Sequence, residues 1–237
     1  MLSNNKSSII LLAIFSCILV MCEIKTSPEN VPEWQTVFFD DFNRNDGPVG
    51  SNYSVTLYIP SVAITDTLSI SNNILQLTGE LYYAIKYMNE VNNDVIRVSA
   101  KFSTSAAPSS DYAFGVCARS KYQDPPNYQL VDAYCGFVAM DTDSIGIYKV
   151  IGGNLNLSDP IIAKAFDVKE NRTYLIELTV NQLDLTFVVN DLTTGTSETL
   201  NFKDNNSPLT GGGVSINGML GGEDVIYIDD FKIEKYE

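Results

Sequence analysis

From Thr36 onward the chain runs in short stretches that alternate apolar with polar residues, and none continues at the i, i+3, i+4, i+7 spacing of a helix. Period-two alternation sends successive side chains to opposite faces of a strand, so each stretch has a face to bury. VFFDDF (37–42), NILQLTGELYYAIKY (73–87), DVIRVSAKFSTS (94–105), DYAFGVCARS (111–120) and YQLVDAYCGFVAM (128–140) read as strands. So do IGIYKVI (145–151), TYLIELTV (173–180), LDLTFVVND (183–191), GGVSINGM (212–219) and DVIYIDDFKIEKY (224–236). They are rich in Val, Ile, Tyr, Phe and Thr, which suit a pleated, half-buried surface. Turn residues separate them, among them NRNDG at 43–47, DPPN at 124–127, IGGN at 151–154 and TGGG at 210–213. Many strands with short connections and no helical crossover predict an all-β fold, an antiparallel sandwich or barrel, as one domain over 36–237.

Charge narrows the function. The 237 residues hold 15 Lys and Arg against 29 Asp and Glu, a net charge of −14, and no histidine. A chain this acidic does not coat a phosphate backbone, so nucleic acid is not an expected partner. Without histidine there is no Ser-His-Asp or Cys-His catalysis, no imidazole acid/base group and no His-zinc site.

The first 21 residues read as a secretion signal. Lys6 precedes an almost unbroken apolar run from Ile9 to Met21, shorter than the roughly 20 apolar residues of a membrane span. LVMC at 19–22 resembles the bacterial lipobox, which implies that Cys22 is lipidated and becomes the mature N-terminus. Met21 departs from that pattern, where a small residue is preferred, and Cys17 is the alternative cysteine. Residues 22–35, with two prolines and mixed charge, read as a tether. The expected location is the cell envelope, at the outer membrane or cell surface. Lipid would hold the protein there, because its acidity opposes docking on anionic membrane.

Taken in order, FFDDFNRNDGPVG, FGVCARSKYQDPPNYQLVDAYCG, IGIYKVIGGNLNL, TYLIELTVNQLDLTFVVND and GGGVSINGM…VIYIDDFKI resemble the concanavalin A-like lectin/glucanase superfamily, which includes laminin-G-like and laminarinase-like jelly rolls. The resemblance covers about Val37 to Glu237. It implies two antiparallel sheets in a jelly-roll β-sandwich, the first and last strands adjacent, and in many members a glycan site on one face. It also implies a structural calcium ion, with Asp229 of the closing YIDDFKI at the matching position. Carboxylate and carbonyl oxygens suit that ion; the alternative is that Asp229 and Asp230 guard a sheet edge. Asp41-Phe-Asn43-Arg-Asn45-Asp46 and Asp141-Thr-Asp143 imitate calcium loops but lack the required glycine or glutamate, and read as turns.

Laminarinase-like members carry E-x-D-x-x-E on one strand, which brings acid and nucleophile ~5–5.5 Å apart in retaining enzymes. That motif is absent here. The corresponding strand offers Tyr128, Leu130, Asp132 and Tyr134 on one face and no carboxylate on the other, so no enzyme is expected. Aromatic rings that stack on sugars, with polar groups fixing hydroxyls, remain available: Tyr128, Asp132, Tyr134 and Arg119 as the candidate ligand set, with Tyr82, Tyr83 and Tyr87 in a neighbouring strand. The lone Trp34 falls in the tether. The expected function is a surface-anchored, non-catalytic recognition module with glycan as the favoured ligand. The alternative is a structural or protein-binding envelope lipoprotein, and a glycoside hydrolase ranks last.

Cys117 and Cys135 flank DPPN, and a hairpin centred on Pro126 sets them opposite each other. In an exported protein this predicts a disulfide; two buried inert thiols are the alternative.

Metabolic labelling with a palmitate analogue is expected to tag the wild type and not Cys22→Ser. Equal labelling of both removes Cys22 as the lipid site, and loss of label in Cys17→Ser reassigns it.

Overall fold

The computed structural model describes residues 32–57, 68–78, 81–91, 93–105, 113–123, 130–221 and 225–237. Cys22, the signal segment, Tyr128 and the DPPN turn lie outside these described residues. The strands in chain order are β1 (Trp34–Asp40), β2 (Tyr53–Leu57), β3 (Leu68–Ser71), β4 (Ile74–Thr78) and β5 (Leu81–Tyr87). Then come β6 (Val95–Ser105), β7 (Ala113–Tyr122), β8 (Leu130–Ala139), β9 (Ser144–Val150) and β10 (Ile162–Ala165). The chain closes with β11 (Thr173–Asn181), β12 (Asp184–Asp191), β13 (Thr196–Lys203), β14 (Gly213–Leu220) and β15 (Val225–Tyr236).

They form two antiparallel sheets. One runs β13-β12-β11-β6-β15-β4-β3, with β1 also on β15; the other runs β10-β9-β8-β7-β14-β5-β2. The expected all-β sandwich is therefore the observed fold, with first and last strands paired from Trp34↔Tyr236 to Asp40↔Phe231. The predicted stretch 73–87 splits into β4 and β5, which join different sheets.

Alternation explains the core. In β11 the buried residues are Tyr174, Ile176, Leu178 and Val180, and in β12 Leu185, Phe187 and Val189. They meet Phe114, Val116, Tyr134 and Val138 from the facing sheet. Phe102 of one sheet stacks on Phe114 of the other, 4.9 Å between centroids. Burying one such ring contributes on the order of 1.5–3 kcal/mol.

β1 begins at Trp34, inside the expected tether. The indole lies 5.3 Å from the Tyr236 ring, and the Arg97 guanidinium sits 4.1 Å over it. The only tryptophan belongs to the sandwich because its ladder partner and a cation on β6 give it a place there.

A polar network fastens the connection after β13 to the facing sheet. Tyr134 donates to Asp204 Oδ2 at 2.5 Å and accepts from the Leu209 N–H at 2.8 Å. Lys149 Nζ gives its donors to Asp204 Oδ2 at 2.6 Å, Asn206 O at 2.7 Å and Ser207 O at 2.9 Å. Burial alone would raise the Asp204 carboxyl. Lys149, Tyr134 and the Asn206 N–H outweigh it and hold the carboxyl below the usual range.

Because the folded value lies below the unfolded one of about 3.9, Asp204 stabilises above that pH, and its contribution is lost as pH falls through the folded value. Asp204→Asn is expected to flatten the acid limb of the stability–pH curve. Tyr134→Phe is expected to cost about 1–3 kcal/mol at pH 7 by leaving a buried carboxylate and N–H short of a partner. Urea denaturation across pH 3–7 checks both.

Candidate functional site: a cleft on the outer face of the seven-stranded sheet

Of the ligand set expected from sequence, the described members Arg119, Asp132 and Tyr134 do not assemble into one site. Tyr134 is 0% exposed and faces the core, its hydroxyl committed to Asp204 and Leu209. Arg119 is 5% exposed and donates to Leu209 O at 3.0 Å and Asp94 O at 2.8 Å. Both inward turns accompany a bulge. The β7–β8 register shifts between Ala118 and Lys121 and again before Tyr122, and Arg119 sits there with φ of 54°. A bulge inserts a residue and resets which face each side chain takes. Leu130 therefore packs with Ala133 and Cys135 on the outer layer, while Tyr134 enters the core.

Asp132 has a different role. Its carboxylate accepts the Gly152 N–H at 3.1 Å, at the start of the loop 151–161. Val131 O accepts from Gly153 N at 2.7 Å, Leu157 O from the Tyr148 hydroxyl at 3.2 Å, and Ile147 O from Ile161 N at 2.9 Å. Leu155 and Leu157 pack on the outer cluster of Cys117, Cys135, Phe137 and Tyr148. The loop is thus pinned by backbone bonds and two apolar side chains, and it walls a cleft of about 880 Å³. That volume is within the ~300–1,000 Å³ of small-molecule sites.

Four aromatic residues line the cleft: Tyr82, Tyr83, Phe137 and Tyr148, with Tyr83 itself turned into the core and 1% exposed. Phe137 folds across Gly115 and Tyr148 across Gly146. A Cβ at Gly115 would fall 2.6 Å from Phe137 Cδ1, and one at Gly146 2.9 Å from Tyr148 Cε2. Both glycines are required for the rings to lie flat on the sheet. Phe137 and Tyr148 meet edge to face at 5.5 Å. Tyr82 is 51% exposed, an open ring face beside its ladder partner Met219. The polar groups are Thr142, Ser144, Asn156, Ser158 and Asn217, with Asp141 as the acid. Asn217 donates to Ser215 Oγ at 2.6 Å, which orients its amide on the floor. Burial, with Asp141 nearby, pushes the Tyr148 phenol up to about 12, so it stays a protonated donor.

The sequence placed Tyr82 among neighbouring tyrosines but carried no signal that Tyr148 and loop 151–161 would join it. One carboxylate lines the cleft, so acid and nucleophile cannot both come from its described walls. Asp229 lies elsewhere, on β15 where the register shifts before Lys232, opposite Lys101. Burial raises its carboxyl, and the carboxylates of Asp230 and Asp41 add to the shift. Lys101 pairs with Asp230. This donor set is hard oxygen, as calcium requires. Among the described residues no three metal-ligating side chains converge, so carbonyl oxygens would have to complete the shell.

No family model matches the chain, and no curated protein matches it. Solved structures do resemble it. Arcelin-5, a lectin-like defence protein from Phaseolus vulgaris, aligns with TM-score 0.61 at 10% identity, over 87% of this chain and 98% of that one. Winged bean acidic lectin, complexed with methyl-α-D-galactose, aligns with TM-score 0.58 at 13% identity, over 86% and 100%. The carbohydrate-binding module CBM66 from Bacillus subtilis aligns with TM-score 0.53 at 10% identity, over 68% and 86%. At such identities the likeness defines a fold class: an antiparallel two-sheet sandwich of the lectin-like jelly-roll type.

Cys117 and Cys135 stand opposite each other in the ladder, their sulfurs 2.02 Å apart, in the apolar layer beneath the cleft. Closing a loop of 18 residues contributes about 3 kcal/mol in the chain-entropy model. Cys117→Ala/Cys135→Ala is expected to lose roughly that much in urea denaturation. Thiol counting on denatured, unreduced protein is expected to find neither thiol free.

Proposed function

We propose that this protein is a non-catalytic carbohydrate-recognition module that binds a glycan in the cleft of the seven-stranded sheet, and that it is exported and held at the cell envelope through Cys22. The observation that carries the reading is the open Tyr82 ring beside uncharged hydrogen-bonding side chains. Sugars offer C–H-rich faces that stack on such a ring and hydroxyls that such groups fix. The likeness to lectins and to a carbohydrate-binding module supports the same reading. The single carboxylate in the cleft's described lining supports binding without cleavage.

Tyr82→Ala is expected to weaken glycan binding at least tenfold, about 1.4 kcal/mol, in titration calorimetry against a hit from a glycan array. An exposed side chain contributes little to stability, so the melting temperature is expected to hold. Binding that survives Tyr82→Ala unchanged moves the ligand out of this cleft. Release of reducing ends by the wild type overturns the non-catalytic assignment.

Asp229 is proposed to hold a calcium ion with backbone carbonyls near the paired chain ends. An ion that binds only the native state adds about 2.7 kcal/mol at 100-fold excess over Kd. Chelator is expected to lower the melting temperature of the wild type and to leave Asp229→Ala nearly unmoved. An identical wild-type curve with and without chelator removes the ion.

A further inference from the structure

The cleft has a charge character that its shape does not dictate. Of its polar lining, Thr142, Ser144, Asn156, Ser158 and Asn217 are uncharged, and Asp141 is an exposed carboxylate. Among the described residues no Lys or Arg lines it. The nearest cation along β5, Lys86, shares a strand face with Tyr82 but lies four residues on, ~13 Å at strand spacing. Its ammonium sits 4.9 Å over the Tyr122 ring. Asp159, in the wall loop, is a further exposed carboxylate.

The whole chain stands at −14. A ligand carboxylate or sulfate entering the cleft would lose water and meet no cation in the described lining, which includes Asp141.

Resting on the glycan reading above, we infer that the cleft selects neutral glycans and excludes uronic, sialylated and sulfated ones, with Asp141 accepting sugar hydroxyls and acting as the local charge filter. A carboxylate is a strong acceptor for neutral hydroxyls and a repulsive neighbour for anions, so one group performs both tasks. The repulsion acts over a Debye length of about 8 Å at physiological salt and shortens as salt rises.

The test is an array that carries each glycan backbone as the neutral chain and as its C6-carboxylated derivative, probed with the purified protein in low and high salt. Signal on neutral members at least tenfold above their carboxylated counterparts, with the gap narrowing in high salt, supports the inference. Asp141→Asn is expected to narrow the gap in low salt, and Asp141→Lys to bring carboxylated members into binding, both at unchanged melting temperature. Equal or stronger signal on carboxylated members overturns the selectivity and leaves the glycan reading standing. A gap that Asp141→Asn and Asp141→Lys both leave unchanged overturns the role of Asp141. No signal on any member overturns the glycan reading, and this inference with it.

Discussion

The structure depends on strands β7 and β8 being buried on both faces. An antiparallel sheet can leave one face in water, but here nearly every residue of both strands is enclosed. Alternation then assigns each side chain to one of two apolar layers. Phe114, Val116, Tyr134 and Val138 join the layer between the sheets, and Ala113, Cys117, Cys135 and Phe137 the outer layer. The outer layer needs a cover, and loop 151–161 supplies part of it with Leu155 and Leu157. Among the described residues that cover leaves a cleft, with the half-exposed ring of Tyr82 in its lining. Stability and the site thus share one cause, and the disulfide lies where the two layers are tied to the same hairpin.

Several enclosed polar groups in this arrangement hold loops. Among the described residues Arg119 makes no salt bridge, and burial lowers its pKa against the opposing pull of the Asp94 carboxylate. Two carbonyls, from Asp94 and Leu209, accept its Nη protons, while its Nε has no hydrogen-bond partner among the described residues. Such a group is costly in isolation. It is tolerated where it fixes two connections at once, and Gly212 makes room for that turn by packing against the Arg119 carbonyl. Tyr134 and Lys149 do the same through Asp204. Each of these side chains looks like a binding residue in the sequence because it is polar or aromatic within a strand. Its neighbours in space, not its type, decide its role.

The sequence was most legible where one strand's pattern sufficed. The alternating runs place β6, β11, β12, β14 and β15, and the cysteine spacing places Cys117 opposite Cys135. Two register shifts intervene and leave that pairing intact. What the pattern could not carry was the phase of β7 after Ala118, because a bulge leaves no mark in residue type at Arg119. The short strands β2 and β3 and the edge strands β10 and β13 also escaped. β13 exposes Thr196, Ser197, Thr199, Asn201 and Lys203 to water, so it has little apolar alternation to read. The cleft was the least legible part, since it joins Tyr82, Tyr148, Asn217 and loop 151–161 across distant stretches of chain. Its single acid was seen in advance only as part of a failed calcium loop.

This division also explains how a sandwich can keep its layers at 10–13% identity to other lectin-like folds. The layer between the sheets is filled by residues whose apolar character and size matter more than their identity. The cleft lining is under a different constraint. Thr142, Asn156 and Ser158 are exposed, so exchanging them costs the fold little. Asp132 and Tyr148 are less free: each makes a bond that helps hold the wall loop, and Tyr148 also lines the cleft. The exposed set of the cleft can thus vary while the pinned set keeps its shape. Fold likeness therefore carries the scaffold from one protein to another, and the chemistry of the cleft must be read from this chain's own side chains.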